Sequence, residues 1–476
     1  MMIHQLRNID YSALLFTLLF LAFTAISALI QLPWLPLVVL VALVVIYVVI
    51  KHPQVWLTGI IVSYIGFVGT QGKGLSTLDV LYAGFLFGTL SVWFLWRLLV
   101  SEKRLLRDST DWMVFLTLVF TVLTNVYTSF SEGTMPIDWA REWVISILLL
   151  YYIPFREYFQ DKKHFAFFQI GFACLVVLIV GSNLLLYYKI ARGSEYAYQI
   201  TGVRSGEQLV SLGILFGLSY FIHSKNVIVK ILSAIVGSVA MIGIIAGYTR
   251  SYWLSVIALL IMMTFYVGKN ERRKIVLMVG TVFAVAGLLL FTVFGGLGDI
   301  ILKVMAKRFI STGNYKKDIA LNERIYESRK VLKLITDEPL QGHGFGTQYI
   351  FWDPLANHSI KYSWIHNGYL SSVFKVGIPG TIIILIFHCM FLTKGVLLLL
   401  LLRKNREKYK EIIVFALPAV LGNVLLLVVS ISSNQFHDRV GGMAFAICYS
   451  AIAIAEIRWK KHQGINSKQL SVPTTP

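Results

Sequence analysis

Three side chains that could carry out chemistry on a phosphorylated substrate stand far apart in the chain: Arg250, Arg324 and His366. A guanidinium group binds phosphate oxygens through two parallel hydrogen bonds, and an imidazole is the side chain that exchanges a proton near neutral pH. Together they could neutralise a departing diphosphate while the base deprotonates an attacking hydroxyl or orients the acceptor. The plainer interpretations are that Arg250 extends to lipid headgroups and that His366 has a structural role at the membrane boundary.

Arg324 lies in the stretch Asn322–Ile335, whose apolar residues recur at helical spacing. Asn322 is the predicted N-cap, so Arg324 would lie in the first helical turn. The helix macrodipole disfavours a cation and favours an anion at that position, which indicates an anion bound beside Arg324. The alternatives are an ion pair with Glu323 or Glu327, or a solvated side chain.

Two further residues are candidates for substrate binding. Arg204 precedes another apolar segment and has the same two interpretations as Arg250. His343 lies in the glycine-spaced turn Pro339–Gly346, where glycines allow close backbone approach. His343 is therefore either a ligand contact or a turn histidine. Upstream, Asp299–Ile310 has an amphipathic pattern that favours an interfacial anchor helix over a substrate role.

The elements that must position these residues are membrane helices. Of the 476 residues, 57% are hydrophobic, whereas soluble domains have about 45–50% apolar residues. The net charge of +19 comes from Lys and Arg in short loops between apolar segments, which is typical of cytoplasmic loops and excludes nucleic-acid binding as the main role.

Hydropathy predicts an all-α polytopic protein with about 12–14 transmembrane helices. The positive-inside rule places both termini in the cytoplasm and the one large loop, residues 297–366, outside. This loop is predicted to contain short amphipathic helices. Residues 1–462 form one membrane domain, and residues 463–476 are a polar tail predicted to be disordered. The predicted helices are Tyr11–Ile30, Pro33–Ile50, Val55–Gly69, Leu78–Val100, Asp111–Phe130, Trp139–Pro154, Ala166–Ile190, Gly206–Ile222, Val227–Gly247, Ser251–Gly268, Ile275–Gly296, Asn367–Leu402, Ile412–Ser433 and Val440–Trp459.

The order of several motifs resembles the O-antigen ligase and polysaccharide polymerase superfamily of bacterial envelope enzymes. The motifs are Thr-Arg-Ser-Tyr-Trp at 249–253, Asn-Glu-Arg-Ile-Tyr at 322–326, Glu-Pro-Leu-Gln-Gly-His-Gly-Phe-Gly at 338–346, His-Asn-Gly-Tyr-Leu at 366–370 and Gly-Ile-Pro-Gly at 377–380. The resemblance covers residues 206–380. Two departures concern acceptor recognition: Tyr252 replaces a small residue that relatives often have, and no Trp follows Arg324 closely.

This resemblance implies a glycosyltransferase in the bacterial cytoplasmic membrane that moves a glycan from a polyprenyl diphosphate carrier to a glycan or lipid-linked acceptor at the outer leaflet. The implied catalytic residues are Arg250, Arg324 and His366. No Asp-x-Asp motif lies on the outer side, so neither a metal nor another cofactor is expected. Other polysaccharide assembly proteins are possible partners.

Polymerisation of lipid-linked repeats is the preferred activity, because no part of the loop has the pattern of a docking domain for a protein or lipid core. The first alternative is ligase-type transfer of a finished glycan to a lipid, protein or wall acceptor. A second is a lipid-linked oligosaccharide flippase, which predicts charges at mid-membrane, where Lys375 is the clearest example. A third is a non-catalytic scaffold, which would tolerate the loss of His366.

Overall fold

The computed structural model describes residues 35–68, 77–101, 104–193, 203–294, 319–353 and 358–464, together with residues 299, 302–306 and 310. Most of this part of the chain is helical, and the strands described within it form one two-stranded hairpin. The predicted all-α polytopic membrane class is therefore confirmed.

Seven helices in the described ranges are long and apolar enough to cross a membrane, or eight if Leu37–Lys51 and Pro53–Val68 form one bent span. The predicted count of about 12–14 is higher for identifiable reasons. Two of the predicted spans are helices of 17 residues each, Glu207–His223 and Arg250–Tyr266. At 1.5 Å per residue such helices are shorter than the hydrocarbon core of about 30 Å.

Other differences from the sequence-based prediction are local. The predicted span Trp139–Pro154 is broken by a 3-10 turn at Leu148–Tyr151, so it is not one continuous helix. The predicted helix Tyr11–Ile30 lies outside the described residues, as does the tail beyond residue 464. Within the predicted anchor Asp299–Ile310, residues 302–306 are helical and most of the others lie outside the described part.

The described residues form two compact units, the smaller of which contains residues 35–56 and 84–101. Every candidate site residue belongs to the larger unit, which contains the remaining described residues. Numbered along the chain, the helices before the candidate site are α1 Leu35–Lys51, α2 Pro53–Ser63, α3 Ile65–Val68, α4 Thr77–Leu99, α5 Ser109–Ser131, α6 Pro136–Ile147, α7 Tyr152–Tyr158 and α8 Lys162–Gly193.

The remaining elements contain the candidate site or pack directly around it. They are α9 Glu207–His223, α10 Val227–Gly247, α11 Arg250–Tyr266, α12 Lys269–Phe294, α13 Ile319–Asp337, β1 Tyr349–Asp353, β2 His358–Tyr362, α14 Gly368–Arg403, α15 Lys410–Val429 and α16 Arg439–His462. Most residues of α9, α15 and α16 are buried, so these three helices form the centre of the larger unit.

A kink divides α14 where the sequence reads Gly-Ile-Pro-Gly. Gly377 has a φ of 69°, and Pro379 has no N–H to donate to the carbonyl of Lys375, four residues earlier. Two other donors satisfy that carbonyl: the backbone N–H of Gly344 at 3.0 Å and the side-chain amide of Asn125 at 3.2 Å. The proline therefore opens a docking position for the glycine-spaced turn.

The hairpin was not predicted, because the loop was expected to contain helices only. Strands β1 and β2 pair antiparallel, with Tyr349 opposite Tyr362. Tyr349 and Phe351 are buried while the intervening Ile350 is exposed, an alternation typical of a half-buried strand. The buried face packs with Ile365 and with residues of α13 and α14 in one apolar cluster. This cluster fixes α13 against the start of α14.

Candidate functional site

The candidate site lies where several chain segments bring their polar ends together: the segment before α9, the start of α11, one face of α13 and the start of α14. In soluble and membrane proteins alike, helix N-termini favour anions because their first N–H groups are unsatisfied. Here α11 and α14 both begin at the candidate site. The backbone therefore adds positive potential to that of the side chains.

Arg250 is the first residue of α11, and the turn before it is held firmly. Tyr248 adopts a left-handed backbone conformation with a φ of 56°, which reverses the chain after α10. The indole of Trp253 donates a hydrogen bond of 2.7 Å to the carbonyl of Ile244, which fastens α11 to the end of α10. Arg250, rather than Arg324, therefore lies at a helix N-terminus. The helix macrodipole disfavours a cation at this position and favours an anion beside it.

For Arg324 the predicted helix boundary is wrong. Asn322 does not cap the helix, because α13 begins at Ile319 and the apolar residues Ile319 and Leu321 continue its pattern upstream. Arg324 lies in the second turn, so its position does not by itself indicate an anion. Among the described residues no ion pair joins Arg324 to Glu323 or Glu327, although both carboxylates attract its charge.

The three arginines are close enough to act on one another. The pKa of Arg324 lies below its ordinary value, first because the side chain is largely buried and then because Arg204 repels its charge. Arg250 adds to the repulsion, whereas Glu327 opposes it. Arg250 and Arg324 are half-buried, and Arg204 is exposed. The structure therefore brings the three predicted phosphate-binding residues into one positively charged cluster.

His366 is held by a carboxylate on the same helix as Arg324. Its ring Nδ1 lies 3.1 Å from Oε2 of Glu327, and its backbone N–H donates to the same oxygen at 3.1 Å. A carboxylate only accepts, so Nδ1 carries a proton and Nε2 of the neutral ring keeps its lone pair. Among the described residues Nε2 has no hydrogen-bond partner. This arrangement fits a base that faces a substrate.

Glu327 is the functional residue that the sequence analysis missed. It was considered only as an ion-pair partner of Arg324, yet its side chain is just 5% exposed and is committed to His366. The hydroxyl of Tyr349 donates to its Oε1 at 2.9 Å. Burial, followed by the charge of Glu327, raises the pKa of Tyr349 well above its usual range, so the phenol remains a donor. One sequence signal existed: Glu327 follows Arg324 by three residues, which places both on one helix face.

The start of α14 fixes His366 from the other side. Asn367 caps the helix, its side-chain oxygen accepting the backbone N–H groups of Tyr369 at 3.0 Å and Leu370 at 3.1 Å. The backbone N–H of Gly368 donates to the carbonyl of Ser430 at 2.7 Å. His366 is thus the last residue before a well-formed cap, and its backbone has little freedom.

His343 stands apart from the arginine cluster. Its ring stacks on Phe374, with centroids 4.7 Å apart. Nδ1 lies 3.1 Å from a carboxylate oxygen of Glu132, and Nε2 lies 3.0 Å from the carbonyl of Leu334. Both ring nitrogens have protein partners, so this geometry supports the turn histidine over the ligand contact. Its assignment to substrate binding stays a prediction.

Lys375 is paired rather than isolated. Its ammonium lies 2.8 Å from a carboxylate oxygen of Glu142 and is 2% exposed. The same carboxylate accepts the backbone N–H of Gly346 at 2.8 Å, and Lys375 also donates to the carbonyl of Thr347 at 3.3 Å. The pair therefore ties α14 to α6 and to the glycine-spaced turn, which is a structural task.

A second buried carboxylate, Asp438, caps α16. Its side chain accepts the backbone N–H of Gly441 at 3.1 Å and the side-chain amide of Gln208 at 2.8 Å. Burial raises the pKa of Asp438 to about 6 despite these hydrogen bonds. This residue links the start of α16 to α9 within the core.

Comparison with known protein families identifies the segment that carries most of these residues. The family model described as O-antigen ligase matches residues 232–385. This segment of the chain is therefore similar to the O-antigen ligase superfamily. The match spans about a third of the chain and includes Arg250, Arg324, Glu327 and His366, while Arg204 lies before it. No curated protein matches the chain. The match supports a glycan-processing membrane enzyme.

Proposed function

We propose that this protein transfers a glycan from a polyprenyl diphosphate carrier to an acceptor at the outer leaflet of the bacterial cytoplasmic membrane. One observation carries the proposal: Arg324, whose charge is repelled by Arg204 and Arg250, shares a helix with the buried carboxylate that sets the free ring nitrogen of His366. With both termini in the cytoplasm, the loop of residues 297–366 faces outward, where lipid-linked glycans are assembled.

In this reaction the bond between the anomeric carbon and the diphosphate oxygen breaks as a new glycosidic bond forms. The acceptor hydroxyl gives its proton to Nε2 of His366, and the carrier departs as the diphosphate. Arg250 and Arg324 bind the phosphate oxygens, whose negative charge grows as the bond breaks, and Arg204 contributes at the exposed rim. Guanidinium groups at a membrane boundary can supply this neutralisation without a metal ion or another cofactor.

The burial and ion pairing of Lys375 favour an enzyme over a flippase. A charge used to carry a substrate would be expected to face a water-filled path, whereas Lys375 is buried and paired with Glu142. A scaffold role is disfavoured because His366 donates two hydrogen bonds to Glu327, from its backbone N–H and from its ring Nδ1. These contacts support catalysis at the arginine cluster.

We favour polymerisation of lipid-linked repeat units over ligase-type transfer to a lipid, protein or wall acceptor. The described part of the outer loop consists of α13, the hairpin and short connections, all packed against the start of α14. The acceptor of a polymerase is chemically similar to its donor, so one cleft suffices. Other polysaccharide assembly proteins are expected partners of such an enzyme.

The test is substitution of Arg250, Arg324 and His366 by Ala in a strain lacking the native copy. Removing one oxyanion-type donor costs on the order of 10²–10³ in kcat, so polymer should be undetectable while the protein remains in the membrane. Arg329→Ala is the matched control, since this exposed arginine lies on the same helix. Full activity in the Arg250 and Arg324 variants would overturn the proposal.

Electrophoresis of surface glycans from the deletion strain distinguishes the two transfer activities. A product that carries a single repeat indicates a polymerase, whereas free polymer that is not attached to its final acceptor indicates a ligase. In reconstituted vesicles, carrier translocation without new glycosidic bonds would instead identify a flippase.

A further inference from the structure

A strongly basic cavity lies at the far end of the helices that carry the candidate site. Arg250 begins α11 and Gly368 begins α14, whereas the cavity is built where α11 and α14 end. Its volume is about 790 Å³, within the range of small-molecule sites. Two turns line it: the turn from α11 into α12, and the turn from α14 into α15.

The lining carries seven cations and two carboxylates. Both carboxylates are already paired within the cavity: Glu271 lies 2.6 Å from Arg406, and Glu407 lies 3.5 Å from Lys410. Five cations remain without a carboxylate partner among the described residues: Lys269, Lys274, Arg403, Lys404 and Lys408. The cavity therefore has a net charge of +5.

The two turns are clamped together, so the cavity has a defined wall. Glu271 accepts the backbone N–H of Gly268 at 2.6 Å as well as the guanidinium of Arg406. Arg406 also lies over the ring of Tyr266, 5.8 Å from its centroid, and the hydroxyl of Tyr266 donates to the carbonyl of Leu399. This clamp holds α11 and α14 at a fixed separation while the unpaired cations stay exposed.

The orientation of the protein in the membrane explains why Lys and Arg occur in these two turns. It does not explain why they line one cavity. The positive-inside effect depends on the number of Lys and Arg near helix ends and requires no cavity. Here the cations line one concave space whose acids are neutralised internally. Such a space at a membrane surface favours phosphate-bearing anions, and basic pockets between membrane helices are known to hold lipid headgroups.

We propose that this cavity binds a phosphate-bearing polyanion. Two sources have the required chemistry: the headgroup of an anionic phospholipid, which lies at this depth in the membrane, and a soluble diphosphate. The proposal is independent of the reaction at the arginine cluster, because the two sites are at opposite ends of α11 and α14.

The test compares two triple variants of the full-length protein in nanodiscs. The cavity variant is Arg403→Gln, Lys404→Gln and Lys408→Gln. The control variant is Lys163→Gln, Lys225→Gln and Lys461→Gln, three exposed cations at the ends of other helices that do not line the cavity. Equal thermal unfolding temperatures in neutral lipid establish that both variants are folded.

In the lipid arm, native mass spectrometry measures retention of phosphatidylglycerol relative to phosphatidylcholine. In the soluble arm, calorimetry measures binding of inorganic diphosphate in neutral nanodiscs. The second arm uses an Arg324→Ala background, so that the arginine cluster does not contribute.

A tenfold or greater loss of phosphatidylglycerol preference in the cavity variant alone supports a lipid headgroup. A comparable loss of diphosphate binding in the cavity variant alone supports a soluble ligand. Equal losses in the cavity and control variants, or no binding of either probe to the parent protein, would overturn the proposal.

Discussion

Replacing Glu327 by Gln tests whether this residue sets the proton of His366. The substitution keeps the size of a side chain that is 5% exposed, but it exchanges a pure acceptor for a group that both accepts and donates. If the amide donates to Nδ1, the histidine must carry its proton on Nε2 instead. Nε2 would then present a hydrogen to the acceptor hydroxyl and could no longer act as a base.

The expected loss of kcat follows from the general base catalysis that Glu327 makes possible at His366. General base catalysis contributes about 10²–10⁴ in rate, and an analogous Asp→Asn change behind a catalytic histidine costs about 10⁴. We therefore expect kcat for Glu327→Gln to fall by about 10²–10⁴-fold. At about 1.4 kcal/mol per tenfold change, this loss corresponds to a rise of about 3–5 kcal/mol in the activation free energy. The KM for the lipid-linked donor should change little, because the arginine cluster is intact.

The assay is polymer formation by the purified enzyme in nanodiscs with a lipid-linked repeat as substrate. Glu323→Gln is the matched control, since it removes a carboxylate from the preceding turn of α13 that has no hydrogen bond to His366. The double variant Glu327→Gln with His366→Ala should be no slower than His366→Ala alone, because the two residues act as a unit. A kcat for Glu327→Gln within threefold of the parent enzyme would refute the role of Glu327.

Two further predictions concern stability. Because the pKa of Asp438 is raised to about 6 from 3.8, its ionised form is disfavoured in the folded protein, and stability falls as the pH rises through 6. Asp438→Asn keeps a capping oxygen, so it should stabilise the protein by about 3 kcal/mol at pH 8 and have little effect at pH 4, as measured by thermal unfolding; equal effects at both pH values would contradict this. Lys375→Met leaves the carboxylate of Glu142 buried without its cation and should cost about 3–5 kcal/mol of stability. Adding Glu142→Gln should recover part of that loss in the same assay, and no recovery would show that the ion pair is not the cause.

Arg250 and His366 could be selected as candidates from the sequence, because each stands at a boundary between an apolar segment and a polar one, and their roles stay predictions. Arg250 is the first residue of α11, and His366 lies two residues before α14. Such boundaries are set by the length of the apolar segment, which is visible locally. The kink in α14 also had a local signal, since Gly377 and Pro379 stand two residues apart in an otherwise apolar segment.

The role of Glu327 could not be predicted in the same way. A glutamate on an amphipathic helix is normally solvated, and the burial of Glu327 depends on a hairpin and on a helix start that lies 39 residues further on. The predicted start of α13 was wrong for a related reason. Asn322 has the chemistry of a cap, but apolar residues before it continue the helix, and packing overrides the capping preference. Tertiary contacts decided both points.

The placement of Arg324 and Glu327 on one face of α13 links binding to proton transfer. Arg324 belongs to the arginine cluster, while Glu327, one turn later, holds the proton of His366 on Nδ1. The helix is in turn held by the apolar cluster that Val331 and Ile335 form with β1 and α14. Because one rigid element positions both groups, a shift of α13 would misplace the leaving-group charge and the base together.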